Sequence, residues 1–248
     1  MNDGKKWLIG AIAVAVAVGV PALLFRSASG PLDKQVESFQ AREQAQESAA
    51  RYQELGKQIE ELEGITNDAH FSRLSGQKQD YVRGRLAELR AYQDYDKALD
   101  EVPDPNEARN DGQLQQTRKK LTEIAVPASY QADWAKTDAV RRHDALSADV
   151  RALDDTAYDL RKGYRRLADE GSEVLKNKDA PGLPGRARQV LEKAKKLPDP
   201  QRDRDKTIPG AARVTYGTVF QFAEVAPVYA SWERIKKSLE PIAALGEP

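Results

Sequence analysis

The feature that most constrains this chain is an uncharged apolar run of nineteen residues near its start, Trp7 to Phe25. As an α-helix that rises about 1.5 Å per residue, the run would reach about 28 Å, close to the thickness of a hydrocarbon core. It is apolar on every side, which is not typical of a helix half buried in a soluble domain. The run therefore predicts a single transmembrane signal-anchor helix over residues 7–25, which places the chain in contact with a lipid bilayer.

The residues that flank the run predict its orientation. Lys5 and Lys6 favour a cytoplasmic N-terminus, so residues 1–6 form a short cytoplasmic tip and the body lies on the extracytoplasmic side. A cleaved signal peptide is the alternative, because small residues around Ser29 would permit a cut there and release a secreted protein. The apolar run is longer than is usual for such peptides, which favours the anchor.

One face of the predicted anchor carries small residues. Ala11, Ala15 and Gly19 are four residues apart, a spacing that permits close approach of two helices in lipid. Together with Trp7 and Phe25 at its ends, they are the predicted anchor residues. Such a face allows a homo-oligomer, or contact with another subunit of a membrane complex.

The rest of the chain is patterned for long helices. Residues 26–64 are predicted as a first long helix and residues 65–178 as a helical unit with a long heptad helix from about Gln131 to Asn177. The apolar heptad stripe of that helix consists of Leu146, Val150, Leu153, Ala157, Leu160, Tyr164, Leu167, Gly171 and Val174. Its alternating spacing of four and three predicts left-handed packing against another helix, as in a coiled coil or helical bundle.

A joint rich in proline and glycine follows at residues 179–185, so residues 179–248 are predicted as a second helical unit. Its last helical region runs from about Ala211 to Leu245, with an interruption at Pro227. The fold class predicted is therefore all-α, with an N-terminal transmembrane helix and an elongated helical body.

Two stretches of the body are similar in order. Residues 102–106, Val-Pro-Asp-Pro-Asn, are matched by residues 197–201, Leu-Pro-Asp-Pro-Gln, and Trp134 is matched by Trp232. The offsets of 95 and 98 residues predict a degenerate tandem repeat whose second copy is truncated. In helix length and heptad period the body resembles spectrin-like three-helix repeats, a resemblance of architecture alone, which implies two degenerate three-helix units.

The composition indicates no catalytic chemistry. The chain has 39 basic and 39 acidic residues, no cysteine and two histidines, and it contains none of the glycine-rich phosphate loops or metalloprotease motifs. It therefore predicts no nucleic-acid partner, no cofactor, no metal and no enzyme. The carboxylates Asp199, Asp203 and Asp205 alternate with basic residues, and that pattern favours a solvated loop with ion pairs over a calcium site.

Four aromatic residues are the candidates for a partner surface: Tyr130, Trp134, Tyr229 and Trp232. Such residues dominate the binding energy of many interfaces, but they also pack at junctions between helices. We therefore predict a membrane-anchored interaction, scaffold or spacer protein without catalytic activity. A secreted helical binding protein, or an accessory or sensor subunit of a membrane complex, is the alternative.

Overall fold

The computed structural model describes residues 30–177 and 181–245. Within these ranges the protein is all-α, as predicted, and the β pairing there is limited to an isolated bridge between Thr207 and Thr215. The predicted anchor, residues 7–25, lies outside the described residues. No helix in the described ranges is long and apolar enough to cross a membrane.

The helices range in length from four residues to 39. In chain order they are α1 (Pro31–Ala45), α2 (Leu55–Asn67), α3 (Gly76–Asp100), α4 (Asp111–Glu123), α5 (Gln131–Trp134), α6 (Asp138–Lys176), α7 (Leu183–Ala194), α8 (Tyr216–Phe220) and α9 (Ala226–Ala244). Single turns of 3-10 helix lie at Ser48–Tyr52, Phe71–Arg73, Pro105–Glu107 and Ala128–Tyr130.

The described residues form two compact units. Unit 1 comprises residues 30–47 and 53–90, and unit 2 comprises residues 48–52 and 91–245 without 178–180. This division differs from the predicted boundaries after residues 64 and 178. The joint at 179–185 does not separate two units, because α7 and α9 on one side of it pack against α6 on the other.

Unit 1 is built from α1, α2 and the first part of α3. Its apolar core consists of Leu32, Val36, Phe39, Ile59, Leu62, Ile65, Phe71, Leu74, Val82, Leu86 and Leu89. Ion pairs join its helices: Arg85, which is buried, contacts Glu43, and Lys78 contacts Asp33. Apolar faces and cross-helix ion pairs therefore hold this unit together.

The predicted first long helix, residues 26–64, is not continuous in the structure. α1 ends at Ala45, Gln46 is extended, and Glu54 adopts a left-handed conformation with φ of 54° just before α2 begins. The apolar stripe carries only alanine between Phe39 and Tyr52, so little burial favours helix there. The intervening turn also places Tyr52 in the core of unit 2.

Unit 2 is organised around α6. The predicted heptad stripe is confirmed, since all nine of its members are buried and face α4, α7, α8 and α9. The helix begins at Asp138 and not at Gln131, because the chain turns at Thr137, whose backbone is extended and whose hydroxyl donates to the carbonyl of Trp134.

The last helical region differs from its prediction. Residues 211–215 are not helical, α8 is a short helix, and Pro227 lies in the first turn of α9 instead of interrupting a helix. A proline is tolerated there because the amide hydrogen it lacks has no partner in the first turn. The proline that seemed a helix breaker therefore marks a helix start.

Asp149 fastens the loop that precedes α8. Its carboxylate is fully buried on α6 and accepts hydrogen bonds from the backbone amides of Ala212 and Arg213, at 2.7 and 2.9 Å. The Nε atom of Arg213 lies 3.2 Å from its second oxygen. A buried carboxylate is tolerated here because three donors surround it.

We expect Asp149→Asn to lower the free energy of unfolding of unit 2 by about 2 kcal/mol, because the amide cannot accept from Arg213 where it replaces the second oxygen. The measurement is urea denaturation of the full chain in detergent, followed by circular dichroism. Asp155→Asn is the matched control, since Asp155 is exposed on the same helix. Equal midpoints for the two variants would contradict this role of Asp149.

Candidate interaction surface

Trp134 lies at the centre of an aromatic cluster in unit 2. It is fully buried, Tyr130 stacks on it with 5.1 Å between ring centroids, and Tyr92 meets it edge-on at 5.0 Å. Tyr95 and Tyr52 complete the cluster at 5.7 and 6.2 Å. Trp134 is therefore a core residue, and Tyr130 is a half-buried cover over it.

The second predicted pair lies on α9. Trp232 is 2% exposed and packs close to Gly171 of α6. Tyr229 is half-buried and meets Tyr164 edge-on at 5.1 Å. Its hydroxyl donates to Glu233 at 3.0 Å; burial, and then this carboxylate, raise the pKa of Tyr229 well above its ordinary value. These contacts join α6 to α9, so most of the surface of Tyr229 and Trp232 packs within unit 2.

A cleft of about 490 Å³ opens between α6, α7 and α9. Tyr164 and Trp232 line it, together with basic and acidic side chains. The basic groups are already engaged: Lys195 pairs with Glu192, Lys236 with Glu233 and Arg202 with Asp203, while Arg188 donates to the carbonyls of Ala243 and Leu245. Each basic group of the cleft therefore already has a partner in the described part of the chain, which is a carboxylate for three of them and backbone carbonyls for Arg188.

The loop with alternating charges is held by ion pairs, as predicted. Asp203 contacts Arg202 at 2.7 Å and Lys206 at 2.6 Å, and it accepts from the amide of Asp199. The hydrogen bonds from Arg202 and Lys206 hold the pKa of Asp203 far below its ordinary value. Within the described ranges, no group of three or more potential ligands is arranged to hold a metal ion.

A different surface emerges on the side of α6 that faces away from its apolar stripe. We call the part of this side from residue 159 to the end of the helix the outer charged face, and it consists of Asp159, Lys162, Arg165, Arg166, Asp169, Glu170, Glu173 and Lys176. All are exposed except Glu170, which is half-buried. Residues 159, 162, 166, 169, 173 and 176 follow a spacing of three and four, so they form a second heptad stripe along the helix.

Most charges of this face have no ion-pair partner within the described part of the chain. Glu170 pairs with Arg166 at 2.8 Å and with Lys193 at 2.7 Å. The other six make no ion pair with any described residue. On the flanks of the same helix, Arg161 pairs with Asp111 and Asp154 with Arg118. The charges of the outer charged face are thus mostly unpaired, whereas charges on the flanks of the same helix form ion pairs with other helices.

An aromatic ring adjoins the start of this face. Tyr158 is 57% exposed, and Lys162 lies over its ring at 5.8 Å from the centroid. In the described part of the chain, the other large apolar side chain left exposed is Leu245 near its end. A mostly exposed tyrosine beside an unpaired row of charges is typical of the edge of a binding surface.

Sequence reasoning selected other residues. The predicted partner surface was the aromatics at 130, 134, 229 and 232, of which both tryptophans prove buried. The missed signal was the heptad spacing of charged residues opposite the apolar stripe. The anchor residues Trp7, Ala11, Ala15, Gly19 and Phe25 lie outside the described residues.

Comparison with known proteins gives no match, whether to a family model, to a curated protein or to a solved structure. The function must therefore be inferred from the chain's own residues.

Proposed function

We propose that this protein is a membrane-anchored helical interaction protein, a scaffold or spacer that catalyses no reaction. The observation that carries the proposal is the outer charged face of α6, on which six charged side chains have no ion-pair partner among the described residues. The opposite side of the helix is packed against α4, α7, α8 and α9, so the face is held on a rigid support. Fixed rows of charge steer and specify partners at protein interfaces.

The apolar run at residues 7–25 supports the anchor. It is long enough to span a bilayer, and Lys5 and Lys6 before it favour a cytoplasmic N-terminus with the body outside. Cleavage near Ser29 would instead make the protein a secreted binding protein with the same face. An accessory or sensor subunit, associated through Ala15 and Gly19, is the second alternative.

We also propose that the helical body is a tandem of two degenerate spectrin-like repeats. The two Pro-Asp-Pro turns support it, since Asp104 accepts from the amide of Asn106 at 3.0 Å and Asp199 accepts from that of Gln201 at 2.8 Å. The two tryptophans are less alike: Trp134 lies in an aromatic cluster, and Trp232 packs on a helix glycine.

Protease protection tests the anchor. The full chain carries a C-terminal epitope tag, and protease is added to intact cells whose outer barrier has been removed. We expect a full-length, membrane-bound band whose tag is destroyed, because the body lies outside. A shorter, soluble band in the untreated sample would show cleavage and overturn the anchor, and a protected full-length tag would overturn the orientation.

A further inference from the structure

The charges of the outer charged face have an unusual order. From Asp159 to Lys176 they run acidic, three basic, three acidic, basic. Reversing this order turns every charge into its opposite, so the face is antisymmetric about a midpoint between Leu167 and Ala168. On the heptad stripe, the three pairs related by the midpoint are Asp159 with Lys176, Lys162 with Glu173, and Arg166 with Asp169.

We propose that this face binds the same face of a second copy of the chain, with the two α6 helices antiparallel. The inference rests on the proposed function and names its partner. A two-fold axis at the midpoint would place each basic residue of the heptad stripe opposite an acidic residue of the other copy, and every pair would occur twice. The heptad spacing allows two antiparallel helices to keep this register along the whole face.

The same order of charges disfavours other arrangements. Parallel helices in register would oppose like charges throughout, because each residue would face its own counterpart. An antiparallel shift of one heptad would place Lys162 opposite Arg166, and Asp159 opposite Asp169. Like charges brought together in this way suppress wrong registers, so one arrangement is selected.

The unpaired state of the charges agrees with this arrangement. Of the eight residues, Arg166 and Glu170 alone make ion pairs with described residues, and the rest are free to pair with another copy. Tyr158 would lie at either end of the paired stripes, near Lys176 of the other copy, where its exposed ring can be covered. Exposed ion pairs are individually weak and are screened by salt, so the pairing should be strongest when a membrane confines both copies.

Photo-cross-linking of the full chain tests the proposal. A benzophenone amino acid replaces Tyr158, and the protein is reconstituted in liposomes and irradiated. We expect an adduct of twice the chain mass at low salt, and its loss at about 1 M salt, where the Debye length is about 3 Å. The chain contains no cysteine, so a disulfide cannot produce the same species.

Charge-swap variants supply the matched controls. Lys162→Glu and Glu173→Lys should each lower the yield of the adduct by about tenfold, because each opposes like charges twice in the dimer. The double variant, and a mixture of the two single variants, should both restore it, since opposite charges would again face each other at these two positions. Both positions are exposed and make no ion pair with described residues, so circular dichroism should remain unchanged.

Unchanged adducts in the single variants, or no restoration in the double variant and the mixture, would overturn the proposal. Irradiation of native membranes distinguishes a failure of self-pairing from a failure of the proposed interaction role. An adduct with a protein of another mass, without the adduct of twice the chain mass, would overturn self-pairing while retaining an interaction role. No adduct of any kind would contradict both.

Discussion

Replacing Trp134 by alanine is expected to lower the free energy of unfolding of unit 2 by about 4 kcal/mol. The indole is fully buried among the rings of Tyr52, Tyr92, Tyr95 and Tyr130. Its removal leaves a cavity that four rings on three segments cannot fill together. The measurement is urea denaturation in detergent followed by circular dichroism, because the variant has lost a fluorescent reporter.

Two variants control for this effect. Trp134→Phe should cost much less, since it keeps a ring and removes an indole Nε1 atom that is buried without a hydrogen-bond partner among the described residues. Tyr158→Ala removes an exposed ring and should change stability by no more than about 0.5 kcal/mol. If Trp134→Ala and Tyr158→Ala had equal midpoints, the tryptophan would not be a core residue.

The second large effect is expected at Gly171, where α9 packs directly on the backbone of α6. A Cβ atom there would lie 2.5 Å from Cγ2 of Ile235 and 3.0 Å from Cδ1 of Leu239. We expect Gly171→Leu to lower the free energy of unfolding by about 3 kcal/mol or more, because the added side chain must displace α9. Urea denaturation and proteolysis within α9 would both report this loss.

Smaller substitutions separate packing from helix propensity. Within a helix, alanine is more stable than glycine by about 1 kcal/mol. Gly171→Ala should therefore destabilise the protein only if the steric cost of the close contact with Ile235 exceeds that gain. Gly84→Ala is the matched control, since a Cβ atom at Gly84 of α3 meets nothing within 4 Å. Gly84→Ala should stabilise the protein. If Gly171→Ala also stabilised it, α9 would not pack closely on α6.

Local pattern was sufficient for much of the fold. The stripe from Leu146 to Val174 predicted both the long helix and its buried face, because helical periodicity and burial are recorded in the same residues. It failed where the decisive contact is distant in sequence. Nothing near Tyr52 indicates that it packs on Trp134.

The candidate surface was partly within reach of the sequence. The charges from Asp159 to Lys176 and their spacing are visible without a structure. Their lack of ion-pair partners among the described residues is not, because Arg161 and Asp154 on the same helix look equally free until Asp111 and Arg118 are placed beside them. The aromatic residues were misleading, since their type does not reveal whether they face another protein or their own core.

By itself, the sequence determined the helical class, the apolar face of α6 and the order of charges on the opposite face, because each can be recognised from the spacing of residues along one helix. Only the tertiary structure decided which helices cover that apolar face, which aromatics are buried and which charges lack a partner in the described part of the chain. Those outcomes depend on contacts between segments far apart in the chain, such as Asp149 with Arg213 or Gly171 with Ile235. Local periodicity carries no information about such pairs.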